Sequence, residues 1–196
     1  MGKKKLICGV GVNDLDSASR IDGDHSSAYH CWHDMITRCY GNQNKTPTYV
    51  GCYVCDEWLV FSKFKEWYDL NYVPGFHLDK DILIENNKIY SPNTCIFVPV
   101  YINVLLVDRR NDRGSLPLGI SFGNYLNNKG EIVISYRASC NNGNGKRLSK
   151  RFCRLEDAMD WYSNTKKRIV AQQVSRALSE EAISQTVADA LLRREF

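Results

Sequence analysis

Residues 77–103, HLDKDILIENNKIYSPNTCIFVPVYIN, constrain this chain more than any other stretch. A short apolar run carries His77, Asp79, Lys80 and Asp81, and an Asn-rich turn over 85–88 follows. After a Ser-Pro-Asn loop, the second apolar run 95–100 passes through Pro99 towards Asn103. Proline suits the first turn of a helix, so a helix is expected to begin there. Strand, turn, strand and the start of a helix is the order needed to hold one metal ion against a phosphate.

In a strand running from 77 to 83, residues two apart share a face. His77, Asp79 and Asp81 would then point one way and Lys80 the other. That leaves His77 available as a general base or ligand and Asp81 as a second carboxylate. The alternative is that both are ordinary exposed residues of a strand end.

Two helices are expected ahead of this stretch, after a short strand and a polar loop over 1–27. Tyr29, Trp32, Met35, Ile36 and Cys39 recur at spacings of three and four, which makes one apolar face, and Gly41 ends it. Trp58, Phe61, Phe64, Trp67 and Tyr68 repeat the pattern, with Asp56 near the helix start. Aromatics at helical spacing belong to a core. His30 and His33, on either side of Trp32, read as surface or capping residues, and His25 is no more informative.

Cysteine usage adds a second question. The chain has eight cysteines, no apolar run long enough for a bilayer, and an N-terminal apolar segment too short and Gly-rich for a signal peptide. An intracellular location is expected, and a disulfide framework is not expected there. Cys52 and Cys55 form a C-x2-C pair flanked by Cys39 and Cys95. Those four thiolates would suit a tetrahedral structural Zn2+ site, and the competing reading is a metal-free buried cluster. Cys8, Cys31, Cys140 and Cys153 read as small apolar fillers.

A linker rich in charge and turn formers spans 107–115. Beyond it, strands are expected over 119–125, 131–139 and 148–154, with turns at 127–130 and at NNGNGK, then a helix over 155–174. Three antiparallel strands backed by a helix is an α+β arrangement. Ser179 is the expected N-cap of a last helix, whose Ile183, Val187 and Leu191 form a narrow stripe for docking on the body or on a second copy. The net charge of +4 is mild, yet residues 145–154 carry five Lys/Arg and no acid. Such local density binds phosphate through counterion release.

With these residues laid out, the chain resembles phage HNH-type (ββα-metal) homing-endonuclease-like proteins that carry an AP2-like DNA-binding domain. The resemblance rests on GVGVND, MITRCY, PTYVGCYVCDEWLVFSKFKEW, LDKDILIENNKIYSPNTCIFVP and PLGISF, in that order along the chain. It implies an HNH-like domain over 1–106, the linker, an AP2-like domain over 116–174 and a C-terminal helix over 175–196.

It also implies Mg2+ or Mn2+ held by Asp79 and Asn103, with Asn93 or Thr94 at the loop position that orients the base. Lys80 stands where active members of the class have their histidine base. An ordinary lysine stays protonated at neutral pH and cannot take a proton from water, although it can hold a phosphate. The sheet would contact double-stranded DNA through Tyr136, Arg137, Arg147, Lys150, Arg151 and Arg154. The expected setting is the cytoplasm of an infected bacterial host, with no membrane partner. The expected activity is metal-dependent DNA cleavage. The alternatives are a catalytically silent DNA-binding protein, or one that meets a host protein or a second copy through its last helix.

Overall fold

The structure is a computed structural model, and it describes residues 6–15, 20–21, 24–25, 27–106 and 115–196, with only the backbone at 20–21 and 24–25. Helix and strand are mixed, and the chain divides into two compact units, Met1–Phe97 and Val98–Phe196. The boundary therefore falls ahead of the expected linker, most of which lies outside the described residues. No helix among the described residues is long and apolar enough to cross a membrane.

The first unit is built on two helices. A two-residue pair, β1 (Arg20–Ile21) with β2 (Asp24–His25), stands where the sequence reads as loop. Helix α1 (Ser27–Tyr40) follows, with Ala28, Trp32, Met35, Ile36 and Cys39 buried, as the spacing predicts. Gly41 ends it, and an added Cβ there would lie 2.4 Å from the Thr37 carbonyl oxygen.

The second predicted helix is broken in two. A 3-10 turn, Asp56–Leu59, precedes α2 (Phe61–Asn71), and Val60 between them is extended at φ −98°. The cause is non-local. Val12 donates its N–H to the Leu59 carbonyl at 2.8 Å and accepts from Phe61 N–H at 2.9 Å, so Val60 must open towards it. Trp32, Trp58, Phe61 and Phe64 are fully buried together, and the Trp32 indole N–H donates to the Trp58 carbonyl at 2.7 Å. Burying an aromatic while satisfying its polar edge is the arrangement a stable core requires.

Leu78, Tyr90, Cys95 and Phe97 of the central stretch join or pack against this core. Strand β3 (Tyr53–Val54) pairs in parallel with β5 (Ile89–Tyr90), and β4 (Phe76–Asp79) shares a sheet with β6 (Ile96–Pro99). Helix α3 (Val100–Asn103) starts straight after Pro99. Strand, turn, strand and helix thus occur in the expected order. The first strand stops at Asp79, however, rather than running to 83.

In the second unit, β7 (Ile120–Phe122), β10 (Tyr136–Asn141) and β11 (Arg147–Phe152) form an antiparallel sheet with β10 central. The two predicted strands before the Asn-rich turn are each split. A small hairpin of β8 (Tyr125–Leu126) and β9 (Ile132–Val133) continues beyond a bend at Gly123 and Ser135, where Gly123 N–H donates to the Ser135 carbonyl at 2.9 Å.

Helix α4 (Leu155–Ser179) backs the sheet and is longer than predicted, burying Ala158, Tyr162, Thr165, Lys166, Ile169, Val170, Gln173, Val174 and Ala177 along one stripe. Burial pushes the Lys166 pKa down; its ammonium donates to the Leu105 carbonyl. The last helix, α5 (Gln185–Leu192), is capped by Ser184 and not Ser179. Ser179 ends α4 instead, its hydroxyl donating to the Arg176 carbonyl at 2.7 Å. Val187 and Leu191 are buried and α5 packs on α4, so the apolar stripe offered to a second copy or a host protein is largely covered by the chain's own helix.

Candidate functional site

Asp79 ends β4 and its carboxylate is already engaged. Its Oδ1 accepts the backbone N–H groups of Asp81 at 2.7 Å and Ile82 at 2.8 Å. This is an Asx turn, in which a short carboxylate replaces the ladder partner lost where the strand stops. The chain turns there, so the expected alternation through 81 does not hold.

Lys80 and Asp81 do not diverge. The Lys80 ammonium donates to Asp81 Oδ1 at 2.6 Å and to the Asn87 carbonyl at 2.7 Å, and it lies 5.8 Å from the centre of the Tyr90 ring. Asn87 closes the latch from its side, donating to the carbonyls of Lys80 and Ile89, both at 2.7 Å. Asn86 beside it takes the left-handed conformation, φ 59°, which asparagine tolerates. Lys80 is only 6% exposed, so the residue at the base position fastens the Asn-rich turn rather than reaching outward.

His77, two residues before Asp79 on the same strand, is exposed. On the loop, Asn93 is exposed and Thr94 is buried, its hydroxyl 2.9 Å from both the Ser91 hydroxyl and the Ile89 carbonyl. Thr94 therefore shapes the loop and leaves Asn93 as its outward member. Asn103 is the last residue of α3, in the second unit.

Among the described residues no three His, Cys, Asp or Glu side chains form a group that could hold a metal ion. Cys39, Cys52, Cys55 and Cys95 are all free thiols and make no such group, so the four-thiolate Zn2+ expectation does not fit. Burial pushes the Cys39 and Cys95 thiols up to about 12, and it raises Cys55 as well. The Asp79 carboxylate is an oxygen donor of the kind Mg2+ takes, an ion that keeps waters and takes further ligands from a phosphate.

The basic strands resolve into two faces. Arg137 lies directly opposite Arg151 on one side and Ser121 on the other. Paired residues share a face, as do residues two along, so Ser139 with Ser149 and Asn141 with Arg147 continue it. Arg137, Arg147, Arg151 and Ser149 are exposed, and none of these seven residues is acidic. The opposite face carries Ile120, Ala138 and Cys140, buried under α4.

Three of the six expected DNA-contact residues thus stand together. Tyr136 and Lys150 fall on the helix side: Tyr136 packs by Phe122, and the Lys150 ammonium sits 5.3 Å over the Phe152 ring. Arg154 is past the sheet, at the N-cap of α4, with an ion pair to Glu156 at 3.6 Å. Ser121, Ser139, Ser149 and Asn141 share the Arg face and were missed; strand alternation counted outward from Arg137 would have found them. Comparison with protein-family models, curated proteins and solved structures gives no match for this chain.

Proposed function

We propose that this chain binds duplex DNA through the Arg137–Arg147–Arg151 face and cleaves it as a metal-dependent endonuclease of the HNH type. One observation carries the reading. Arg137 and Arg151 stand opposite each other on neighbouring strands, and none of the seven residues named on that face is a carboxylate. Like charges so placed repel, and a polyanion is what relieves them. The serines and the asparagine on this face offer further donors and acceptors to base edges and phosphates.

On the first unit, Asp79 is the oxygen donor for Mg2+ or Mn2+, which when bound would neutralise phosphate charge. His77, exposed and beside Asp79, is the side chain suited to take the proton of the attacking water. Lys80 is not, because its ammonium is buried in the latch. That latch also favours a second reading, a DNA-binding protein whose HNH-like part is a silent scaffold.

Supercoiled plasmid incubated with Mg2+ or Mn2+ separates the two. Wild type is expected to nick or linearise it, while Asp79→Ala and His77→Ala abolish cutting and still shift duplex DNA. A wild type that binds but never cuts leaves the silent scaffold. Loss of the shift in a triple Arg137→Ala, Arg147→Ala, Arg151→Ala variant is required by both readings.

A further inference from the structure

The turn between β10 and β11, residues 142–146, leads into Arg147 and is unusually well held for a Gly- and Asn-rich segment. Within the turn, Asn142 Oδ1 accepts from Asn144 N–H at 2.9 Å and Lys146 N–H at 3.2 Å, and Asn141 Oδ1 accepts from Gly143 N–H at 2.9 Å. From outside, Gln173 of α4 donates to the Asn142 carbonyl at 2.9 Å. Gly143 takes φ +81°, and a Cβ there would come within 3.1 Å of the Gln173 side chain and 3.2 Å of the Tyr101 carbonyl oxygen.

Arg176 is the centre of this arrangement. Its Nε donates to Glu180 Oε1 at 2.8 Å, one Nη donates to Asn144 Oδ1 at 3.2 Å, and its guanidinium lies 4.1 Å from the centre of the Tyr101 ring. Tyr101 closes the cluster by donating to Glu180 Oε2 at 2.7 Å. One guanidinium thus joins α3, the turn and α4 at once, using the planar fork that distinguishes arginine from lysine.

We infer that Arg176 is a positioning residue for the DNA-reading face, holding the 142–146 turn so that Arg147 and Asn141 are preset before DNA arrives. The inference rests on the duplex-binding reading given above. A loop ordered in advance does not lose that freedom on binding, so fixing it raises affinity without adding a contact.

The salt dependence of affinity distinguishes this role from direct contact. Fluorescence anisotropy with a labelled duplex gives log K against log salt for each variant, and thermal melting identifies any that fail to fold. Arg147→Ala, which removes a phosphate or base-edge cation, is expected to reduce the slope by about one. Arg176→Ala is expected to weaken binding about fivefold with the slope unchanged. Asn144→Ala, which leaves the helix intact, is expected to reproduce that loss, and Arg176→Lys to recover part of it.

An Arg176→Ala protein that binds within twofold of wild type overturns the inference. So does one whose slope falls as far as that of Arg147→Ala, because Arg176 would then touch DNA itself. Should Arg176→Ala fail to fold, Asn144→Ala decides by the same criteria. Absence of binding by wild type overturns the duplex-binding reading and this inference with it, and is recognised in the wild-type curve alone.

Discussion

Lys80 illustrates how burial changes the part a residue can play. Its ammonium bonds to Asp81 and to the Asn87 carbonyl while nearly out of water. Removing the cation takes that donor from the carbonyl and the Lys80 ion pair from Asp81. Asp81 keeps substantial contact with solvent, which softens the loss. Lys80→Ala is therefore expected to cost about 2 kcal/mol in urea unfolding. An unchanged midpoint would mean that the latch is open in solution.

The thiols give a pH signature at the same scale. Burial holds Cys39 and Cys95 at about 12, up from an ordinary 9.0. The folded state keeps these protons longer than the unfolded state does. The stabilisation is therefore complete below pH 9 and is lost as pH rises from 9 towards 12. Each thiol removes up to about 1.4 kcal/mol per pH unit in that window. The urea midpoint, measured under reductant, is expected to fall between pH 8 and 10. A Cys39→Ala, Cys95→Ala variant is expected to fall less steeply, and equal slopes would remove the thiols as the cause.

Among the elements, the chain just before β7 comes close to Tyr162 of α4. Gly119 has φ +76°, and a Cβ there would lie 2.0 Å from the Tyr162 ring. Neither the backbone conformation nor the space admits a side chain. Gly119→Ala is expected to destabilise the second unit by about 3 kcal/mol, combining left-handed strain with overpacking. A shift below 1 kcal/mol would show that Tyr162 can swing away.

The same element scale explains which boundaries were legible. The apolar face of α1 follows from spacing, because 3.6-residue periodicity is a property of the helix itself. The break at Val60 does not, because its cause is Val12, nearly fifty residues earlier. Nor does the bend that divides the β7–β10 arm, where Gly123 and Ser135 meet across the hairpin.

At the scale of the molecule, composition points to a divide at 107–115, where charge and turn formers accumulate. Packing places it between Phe97 and Val98 instead. Helix α3 belongs with the second unit because Tyr101 is held by Arg176 and Glu180, and Lys166 donates to the Leu105 carbonyl. Those partners lie some sixty to eighty residues away in sequence, beyond the reach of any local pattern.

The sequence by itself determined the order of the main helices and strands, the aromatic core, the Asn-rich turns and the sheet backed by a helix. Each follows from periodicity or from the conformational limits of Gly, Pro and Asn, which act over a few residues. Only the tertiary structure decided that Lys80 is a latch and that Asp79 closes a turn. It also decided that Arg137, Arg147 and Arg151 share one face while Tyr136 and Lys150 take the other. Those outcomes depend on strand register and on which distant group fills a hydrogen bond, and both are set when the chain closes on itself.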